Sequence, residues 1–142
     1  MDPRPPEMVM QDFQCACEAL HGGELLRWEW DDRFRAALAA VKSPHHTEVL
    51  ALLAAHLPTV WDHQSIRQAS GPVVQLSRDW GGLRPGQLMY TLDPADDPLL
   101  FGVWWPWGGN TTFSLRVGCV VVSDAAGALE PLATLRRLLD VA

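Results

Sequence analysis

Two apolar runs joined by a short turn constrain the fold of this chain more than any other feature. The runs LLFGVWW (99–105) and TTFSLRVGCVVV (111–122) are rich in β-branched and aromatic residues, and Gly108 and Gly109 lie between them. Such a pair predicts the two antiparallel strands of a β-hairpin. Because the first run is apolar on both faces, either helices cover both faces of the strand or one face stays open as a binding surface.

The length of the hairpin turn decides which face each tryptophan occupies, since a slip of one residue exchanges the two faces of a strand. A two-residue turn places Trp104 opposite Phe113, whereas a three-residue turn places Trp105 opposite Phe113. Both alternatives put one of these tryptophans beside Ser114 and Arg116. A tryptophan with an arginine neighbour is therefore expected whichever turn forms, and these two residue types dominate the energetics of protein interfaces.

The first half of the chain is rich in alanine and leucine, and its apolar spacing favours helices. Three helices are predicted: 7–20, ended by Gly22 and Gly23; 33–42, capped by Asp31 or Asp32; and 45–57, opened by Ser43 and Pro44 and stopped by Pro58. The alternating stretch ELLRWEW (24–30) predicts a short strand, with a continued helix as the alternative. Residues 59–71 fit a short helical turn followed by a loop.

After Pro72 the composition shifts toward β-branched and aromatic residues. Four strands are predicted there: 73–77, 87–92, 99–105 and 111–122. A turn at 124–127 and an amphipathic helix over 129–141 follow them. The predicted fold class is α+β, with N-terminal helices, an antiparallel sheet of four to five strands connected as a meander, and a C-terminal helix packed on the sheet. The whole chain, 1–142, is expected to form a single domain.

Two Trp-Gly-Gly sequences, at 80–82 and 107–109, each follow a predicted strand. In a meander both turns lie at the same end of the sheet, and the acidic connection DPADDP (93–98) lies at the opposite end. The sheet therefore offers two candidate binding surfaces. The aromatic surface comprises Trp80, Arg84, Trp105, Trp107 and Arg116, and the acidic surface comprises Asp93, Asp96 and Asp97.

Charge and hydropathy exclude several classes of partner. The net charge of −6, with Lys42 as the one lysine, argues against a protein that binds a phosphate backbone, so no nucleic-acid partner is expected. The longest uncharged run, 98–115, is interrupted by Pro106 and by glycines, so no membrane partner is expected either. The chain begins without an apolar signal core, and its three cysteines do not form a disulfide framework, which favours a cytoplasmic protein.

Residue types that bind metals or catalyse reactions do not fall into a recognisable spacing. His45 and His56 are eleven positions apart in the sequence. That is roughly 16 Å along a helix, too far for two ligands of one ion. Cys15 and Cys17 would point to opposite sides of a helix. The neighbours Asp62–His63 could form a carboxylate–imidazole dyad, but no nucleophile accompanies them. No metal, cofactor or catalytic residue is therefore expected.

These observations favour a non-enzymatic protein-binding domain, similar in kind to immunity proteins, which inhibit a partner protein or toxin. The partner would be another protein, and a basic toxin or enzyme would suit the acidic surface. One alternative is a small-molecule-binding or hydrolytic enzyme with a pocket between sheet and helices, where His56, Asp62, His63 and Arg116 would converge. Another alternative is a structural homodimer that buries the tryptophans across a two-fold axis.

Overall fold

The computed structural model of this chain describes residues 4–109, 111–121 and 129–141, and these contain four α-helices and a six-stranded sheet. The helices are α1 (Pro6–Leu20), α2 (His46–His56), α3 (Gly71–Asp79) and α4 (Leu129–Leu138). The strands are β1 (Glu29–Asp31), β2 (Ala36–Lys42), β3 (Thr59–Trp61), β4 (Leu88–Thr91), β5 (Leu99–Trp107) and β6 (Thr112–Val120). Two 3₁₀ turns, Ser43–His45 and Ser65–Gln68, precede α2 and α3. The turn predicted at 124–127 lies outside the described residues.

All neighbouring strands are antiparallel, in the order β1-β2-β6-β5-β4-β3. Strands β4, β5 and β6 form a meander, and strands from the first half of the chain extend it on both sides. The α+β class is therefore confirmed, with six strands where four to five were expected, and α4 packs on the sheet through β6.

The turn of the β5–β6 hairpin is longer than either predicted alternative. Pro106 lies opposite Phe113, so four residues, 108–111, connect the paired strands. The two-residue and three-residue registers are both wrong, because Thr111 belongs to the turn. Its hydroxyl donates a hydrogen bond to the Gly108 carbonyl at 2.9 Å. Gly108 has a φ of 50°, in the left-handed region that favours glycine.

The longer turn shifts the register by two residues from the two-residue alternative, so each strand keeps the faces that this alternative predicts. Trp104 lies opposite Leu115, and Trp105 lies opposite Ser114. The Arg116 guanidinium carbon is 4.8 Å from the centroid of the Trp105 ring. A tryptophan beside Ser114 and Arg116 is therefore confirmed.

Helices α1, α2 and α4 cover the first face of the sheet, which carries Trp104 and Phe113. These helices bury apolar side chains such as Phe13, Leu53 and Leu135 against it. The rings of Trp104 and Phe113 stack with centroids 4.6 Å apart, and Trp104 is only 2% exposed. Trp104 is therefore a core residue.

The second face of the sheet is covered over one half of its width. Helix α3 and the 3₁₀ turn before it pack Val73, Leu76 and Ile66 against β4 and β5. Over β1, β2 and β6, no helix among the described residues covers this face, and Leu38 stays partly exposed and Ala40 exposed. The sequence left two alternatives, helices over both faces of the hairpin strand or one face left open. The second face shows both, since it is covered over β4 and β5 and open over β1, β2 and β6.

The alanine-rich segment predicted as a helix over 33–42 is a strand instead. Residues 36–42 form β2, and burial alternates along it. Alanine fits both periodicities, and the pairing of six residues with β6 decides the outcome. Asp31 still acts as a cap: its Oδ1 accepts hydrogen bonds from the main-chain N–H groups of Arg33 (3.0 Å) and Phe34 (3.4 Å), in a turn between two strands.

The segment predicted as a strand over 73–77 is also wrong, because it lies within α3. Pro72 occupies the first turn of this helix, where main-chain N–H groups have no partner within the helix, so the absence of an N–H in proline costs no hydrogen bond. Val73, Leu76 and Ser77 are buried, and this spacing places them on one face of a helix. The β-branched residues favour a strand locally, but burial of this face against β4 and β5 determines the structure.

The two Trp-Gly-Gly sequences lie at the same end of the sheet, although the first follows a helix. The chain after residues 80–82 enters β4 at Leu88, opposite Trp104 and toward the hairpin turn. The connection 93–98 joins the other ends of β4 and β5. The predicted polarity of the sheet is confirmed, while its first strand is replaced by α3.

The remaining segments match their predictions to different degrees. The helices predicted at 7–20, 45–57 and 129–141 are confirmed as α1, α2 and α4, apart from a few residues at their ends. Only the end of 24–30 belongs to a strand, β1, and the rest is irregular. Residues 59–71 contain the expected helical turn, but they begin with β3, which was not predicted.

Candidate functional site

Aromatic side chains and one arginine cluster on the second face of the sheet, at the border between its covered and open halves. We call this cluster the aromatic rim; it comprises Phe34, Trp80, Trp105, Trp107 and Arg116. Of the aromatic surface predicted from the sequence, it contains every residue except Arg84. Phe34 is the addition that the structure makes.

Trp105 lies at the centre of the aromatic rim. Its ring centroid is 5.7 Å from that of Phe34 and 5.9 Å from that of Trp80, and the last two are 4.7 Å apart. Strand β5 positions Trp105, the residue after α3 is Trp80, and the β1–β2 turn carries Phe34. Three separate segments therefore meet, and aromatic pairs at such separations stabilise the fold beyond the area they bury.

Arg116 lies between two rings of the rim and is engaged by a carboxylate. Its guanidinium carbon is 4.8 Å from the centroid of each ring, Phe34 and Trp105. Its Nε donates a hydrogen bond to Oδ2 of Asp31 at 3.0 Å, and the two side chains are 13% and 15% exposed. Its buried Nη1 has no hydrogen-bond partner among the described residues. Most of the arginine is thus used to hold the β1–β2 turn on the sheet.

The Asp31 carboxylate is stabilised in its charged form. Burial tends to raise its pKa, but hydrogen bonds from the Arg116 guanidinium and from the main-chain N–H groups of Phe34 and Arg33 outweigh that effect. The pKa of Asp31 therefore lies below its ordinary value of 3.8. The ion pair stays intact throughout the neutral pH range.

Trp107 is the exposed member of the rim. It lies at the last position of β5, its side chain is 53% exposed, and among the described residues it is the only aromatic side chain exposed to this degree. Its indole Nε1 donates a hydrogen bond of 2.7 Å to the Ser114 hydroxyl, on the neighbouring strand. The exposed ring is therefore held in one orientation over the open half of the sheet.

Arg84 does not join the aromatic rim. It is exposed in the loop before β4, and its main-chain N–H donates to the Gln87 side chain at 2.9 Å. The structure brings it into contact with none of the aromatic side chains among the described residues.

The acidic connection is used largely within the protein. Asp93 accepts a hydrogen bond from the main-chain N–H of Ala95 at 3.0 Å, which caps its own turn. Asp96 is buried, 6% exposed, and its carboxylate is 3.6 Å from the Arg4 guanidinium. Burial raises the pKa of Asp96, and the charge of Arg4 opposes that shift only in part. Asp97 is partly buried. The three carboxylates therefore do not form one exposed acidic surface.

The residues of the enzyme alternative do not converge as that alternative requires. His56 ends α2, which packs on the first face, whereas the Arg116 side chain lies on the second face. Asp62 caps the following 3₁₀ turn, because its Oδ1 accepts hydrogen bonds from the main-chain N–H groups of Gln64 (2.9 Å) and Ser65 (2.7 Å). These two bonds lower the pKa of Asp62. The sheet therefore separates His56 from Arg116, and the Asp62 carboxylate is used to cap a turn.

Sequence reasoning missed two residues of this site, Phe34 and Asp31. Both were placed at a predicted helix, which hid the turn that brings them over the sheet. The signal that could have found them is the consecutive pair Asp31–Asp32 before Arg33, since aspartate at the start of a tight turn caps the N–H groups two and three positions later. No spacing in the sequence indicates that Arg116 is the partner of Asp31.

No family model, curated protein or solved structure matches this chain. Over residues 4–109, 111–121 and 129–141, no helix is long and apolar enough to cross a membrane. The same part of the chain holds no group of three His, Cys, Asp or Glu side chains that could bind a metal ion. The geometry of the aromatic rim is therefore the basis for a functional conclusion.

Proposed function

We propose that this chain is a non-enzymatic protein-binding domain that contacts its partner through the aromatic rim, and that it acts in the cytoplasm as an inhibitor of the immunity-protein type. The observation that carries the proposal is the exposed and oriented indole of Trp107. It projects beside an open half-sheet, on the same strand and the same face as Trp105.

This arrangement has the properties of an interface hot spot. Tryptophan and arginine are the residue types that most often contribute large binding energies. The hydrogen bond from Trp107 to Ser114 restricts the indole before binding, which lowers the conformational entropy lost when a partner covers it.

The rim is better suited to this role than the acidic connection. A basic partner that used Asp93, Asp96 and Asp97 would need exposed carboxylates, and Asp96 is buried beside Arg4. The two surfaces differ in their expected response to salt. Binding through the rim should change little between low and high salt, whereas binding through the carboxylates should weaken steeply.

The experiment begins with capture of binding proteins from the cell extract at low and high salt, followed by identification and purification of the captured protein. The dissociation constant is then measured for the wild-type chain and for Trp107→Ala. Removal of a hot-spot indole should weaken binding about 30-fold. Met8→Ala is the matched control, because Met8 is equally exposed, 53%, but lies on α1.

A second variant separates the indole from its orientation. Ser114→Ala retains the exposed Trp107 indole but removes the hydrogen bond that orients it, so binding should weaken by less than in Trp107→Ala, about threefold. Unchanged binding by Trp107→Ala would overturn the proposal. Sedimentation of the wild-type chain and of Trp107→Ala tests the homodimer alternative, which predicts a dimer that this substitution dissociates.

A further inference from the structure

A small cavity of about 260 Å³ opens at the outer edge of β2. It exists because β1 pairs with β2 only up to Leu38, while β2 continues to Lys42. The irregular segment that contains Arg27 passes alongside the last residues of β2 without pairing with them. Exposed strand edge and side chains from both segments form the walls.

The cavity is basic, although the chain as a whole carries a net charge of −6. Arg27, Lys42 and His45 line it, together with one acidic residue, Glu24. Among the described residues, neither Arg27 nor Lys42 forms an ion pair. Two permanent cations and an imidazole therefore face one small space with a single carboxylate at its border.

The cavity is next to the aromatic rim. Lys42 lies opposite Thr112 on β6, and Thr112 lies opposite Trp107 on β5, so the three residues form one row across the sheet. Neighbouring strands are about 4.8 Å apart, which puts the backbones of Lys42 and Trp107 about 10 Å from each other. A partner that covers the Trp107 indole would also reach the mouth of the cavity.

The size and the lining of the cavity together favour a small anionic group. Pockets for free, drug-sized ligands usually measure about 300–1,000 Å³, and this cavity is smaller than that range. A carboxylate side chain enters such a volume with room left for water, and Arg27, Lys42 and His45 among the lining residues favour an anion. We propose that the partner bound at the aromatic rim inserts an aspartate or glutamate side chain between Arg27 and Lys42.

This inference rests on the proposed function for the source of the carboxylate, but the chemistry of the cavity is testable without a partner. The probe is sodium glutarate, titrated into the ¹⁵N-labelled chain at constant ionic strength and followed by amide chemical shifts. Shifts are expected at residues 40–42 and to approach saturation at millimolar concentrations. They should be absent from a titration with sodium chloride.

Variants link the shifts to the cavity. The double variant Arg27→Gln, Lys42→Gln should lose the glutarate-dependent shifts, and Arg67→Gln, an exposed arginine in the 3₁₀ turn before α3, should keep them. With the purified partner, the double variant should raise the dissociation constant about tenfold, because two charge-assisted contacts are removed. The control should leave the dissociation constant unchanged.

Two results would overturn the inference: no shifts with glutarate, whether or not phosphate produces them, and equal glutarate-dependent shifts in the double variant. Loss of partner binding in Trp107→Ala but not in the double variant would also overturn it, while the proposed function stands. A different result would reject the proposed function and keep the inference about the cavity. Saturable glutarate shifts together with unchanged partner binding by Trp107→Ala would reject the proposed function and leave a carboxylate-binding cavity.

Discussion

Arg116 connects the β1–β2 turn to the centre of the sheet, through the Asp31 carboxylate and through its contacts with two aromatic rings. Because the pKa of Asp31 is lower in the folded state than its ordinary value, the pair stabilises the fold above that ordinary value. The stabilisation is lost as the pH falls through the lowered pKa. Charge at residue 31 is therefore expected to matter near neutral pH and to have no effect in strong acid.

We predict that Asp31→Asn lowers the free energy of unfolding by about 2 kcal/mol near neutral pH, since a charge-assisted hydrogen bond is replaced by a neutral one. Urea denaturation at a series of pH values measures this difference, which should shrink as the pH approaches the lowered pKa. Asp32→Asn, an exposed neighbour, is the control and should be nearly neutral. Equal effects of the two substitutions would show that the ion pair does not stabilise the turn.

At the scale of elements, the Phe101 ring of β5 packs closely over Gly118 on the neighbouring strand β6. A Cβ atom on Gly118 of β6 would lie 2.9 Å from Cζ of Phe101, which is 3% exposed in the second-face core. At Gly102 of β5 the nearest atom, Cδ1 of Leu57, would be 3.4 Å away, an ordinary contact. The two glycines lie on opposite faces, so they test the packing of the two cores separately.

We predict that Gly118→Ala lowers the free energy of unfolding by about 2 kcal/mol, because the Phe101 ring must move within a packed core. Gly102→Ala should be neutral or slightly stabilising, since alanine restricts the unfolded chain more than glycine does. Thermal unfolding of both variants measures the contrast. A Gly118→Ala variant as stable as Gly102→Ala would mean that α3 does not hold Phe101 in place.

The elements also show how far local sequence determines this fold. The hairpin strands, α1 and α2 were predictable because their apolar periodicity and their glycine or proline boundaries agree. For residues 36–42 and 73–77 the predicted helix and strand are interchanged. Alanine fits helix and strand alike, and the valines of α3 favour a strand, so burial in the tertiary structure determined both segments. Pro72 in the first turn of α3 was the local signal that pointed to the correct answer.

The candidate site was predictable to the extent that it depends on the hairpin. The placement of Trp105 beside Arg116 follows from strand alternation, which holds for any turn of even length. Phe34 and Asp31 lie in and beside the β1–β2 turn. Their positions over the sheet depend on how this turn packs near the end of α3, which local sequence does not determine. The basic cavity depends on where β1 stops pairing with β2, and strand ends are not determined by periodicity.

For the molecule as a whole, the two cores share a strand. Leu100 and Trp104 of β5 belong to the first-face core, and Phe101 and Val103 belong to the second-face core. Loss of either core therefore exposes apolar side chains of the same strand. We expect the two faces to unfold in one cooperative transition, since β5 cannot keep one set of contacts without the other.

The cysteines provide a measurement of this cooperativity. Burial raises the pKa of Cys17 and of Cys119 to about 12, so both thiols are protonated and poorly nucleophilic near neutral pH, while Cys15 is exposed on α1. We predict a single alkylation of the native protein by iodoacetamide, at Cys15, and none in a Cys15→Ser variant.

In increasing urea, Cys17 and Cys119 should become reactive together, over the range in which the ¹⁵N amide signals of α3 report loss of the second-face core. Cys17 lies on α1 and reports the first-face core, so coincident transitions would establish that the sheet couples the two. Alkylation of Cys17 at lower urea than the loss of the α3 amide signals would instead mean that α1 detaches while the aromatic rim stays folded. In that case the rim would be stable without the first-face helices, and its binding could be assayed under those conditions.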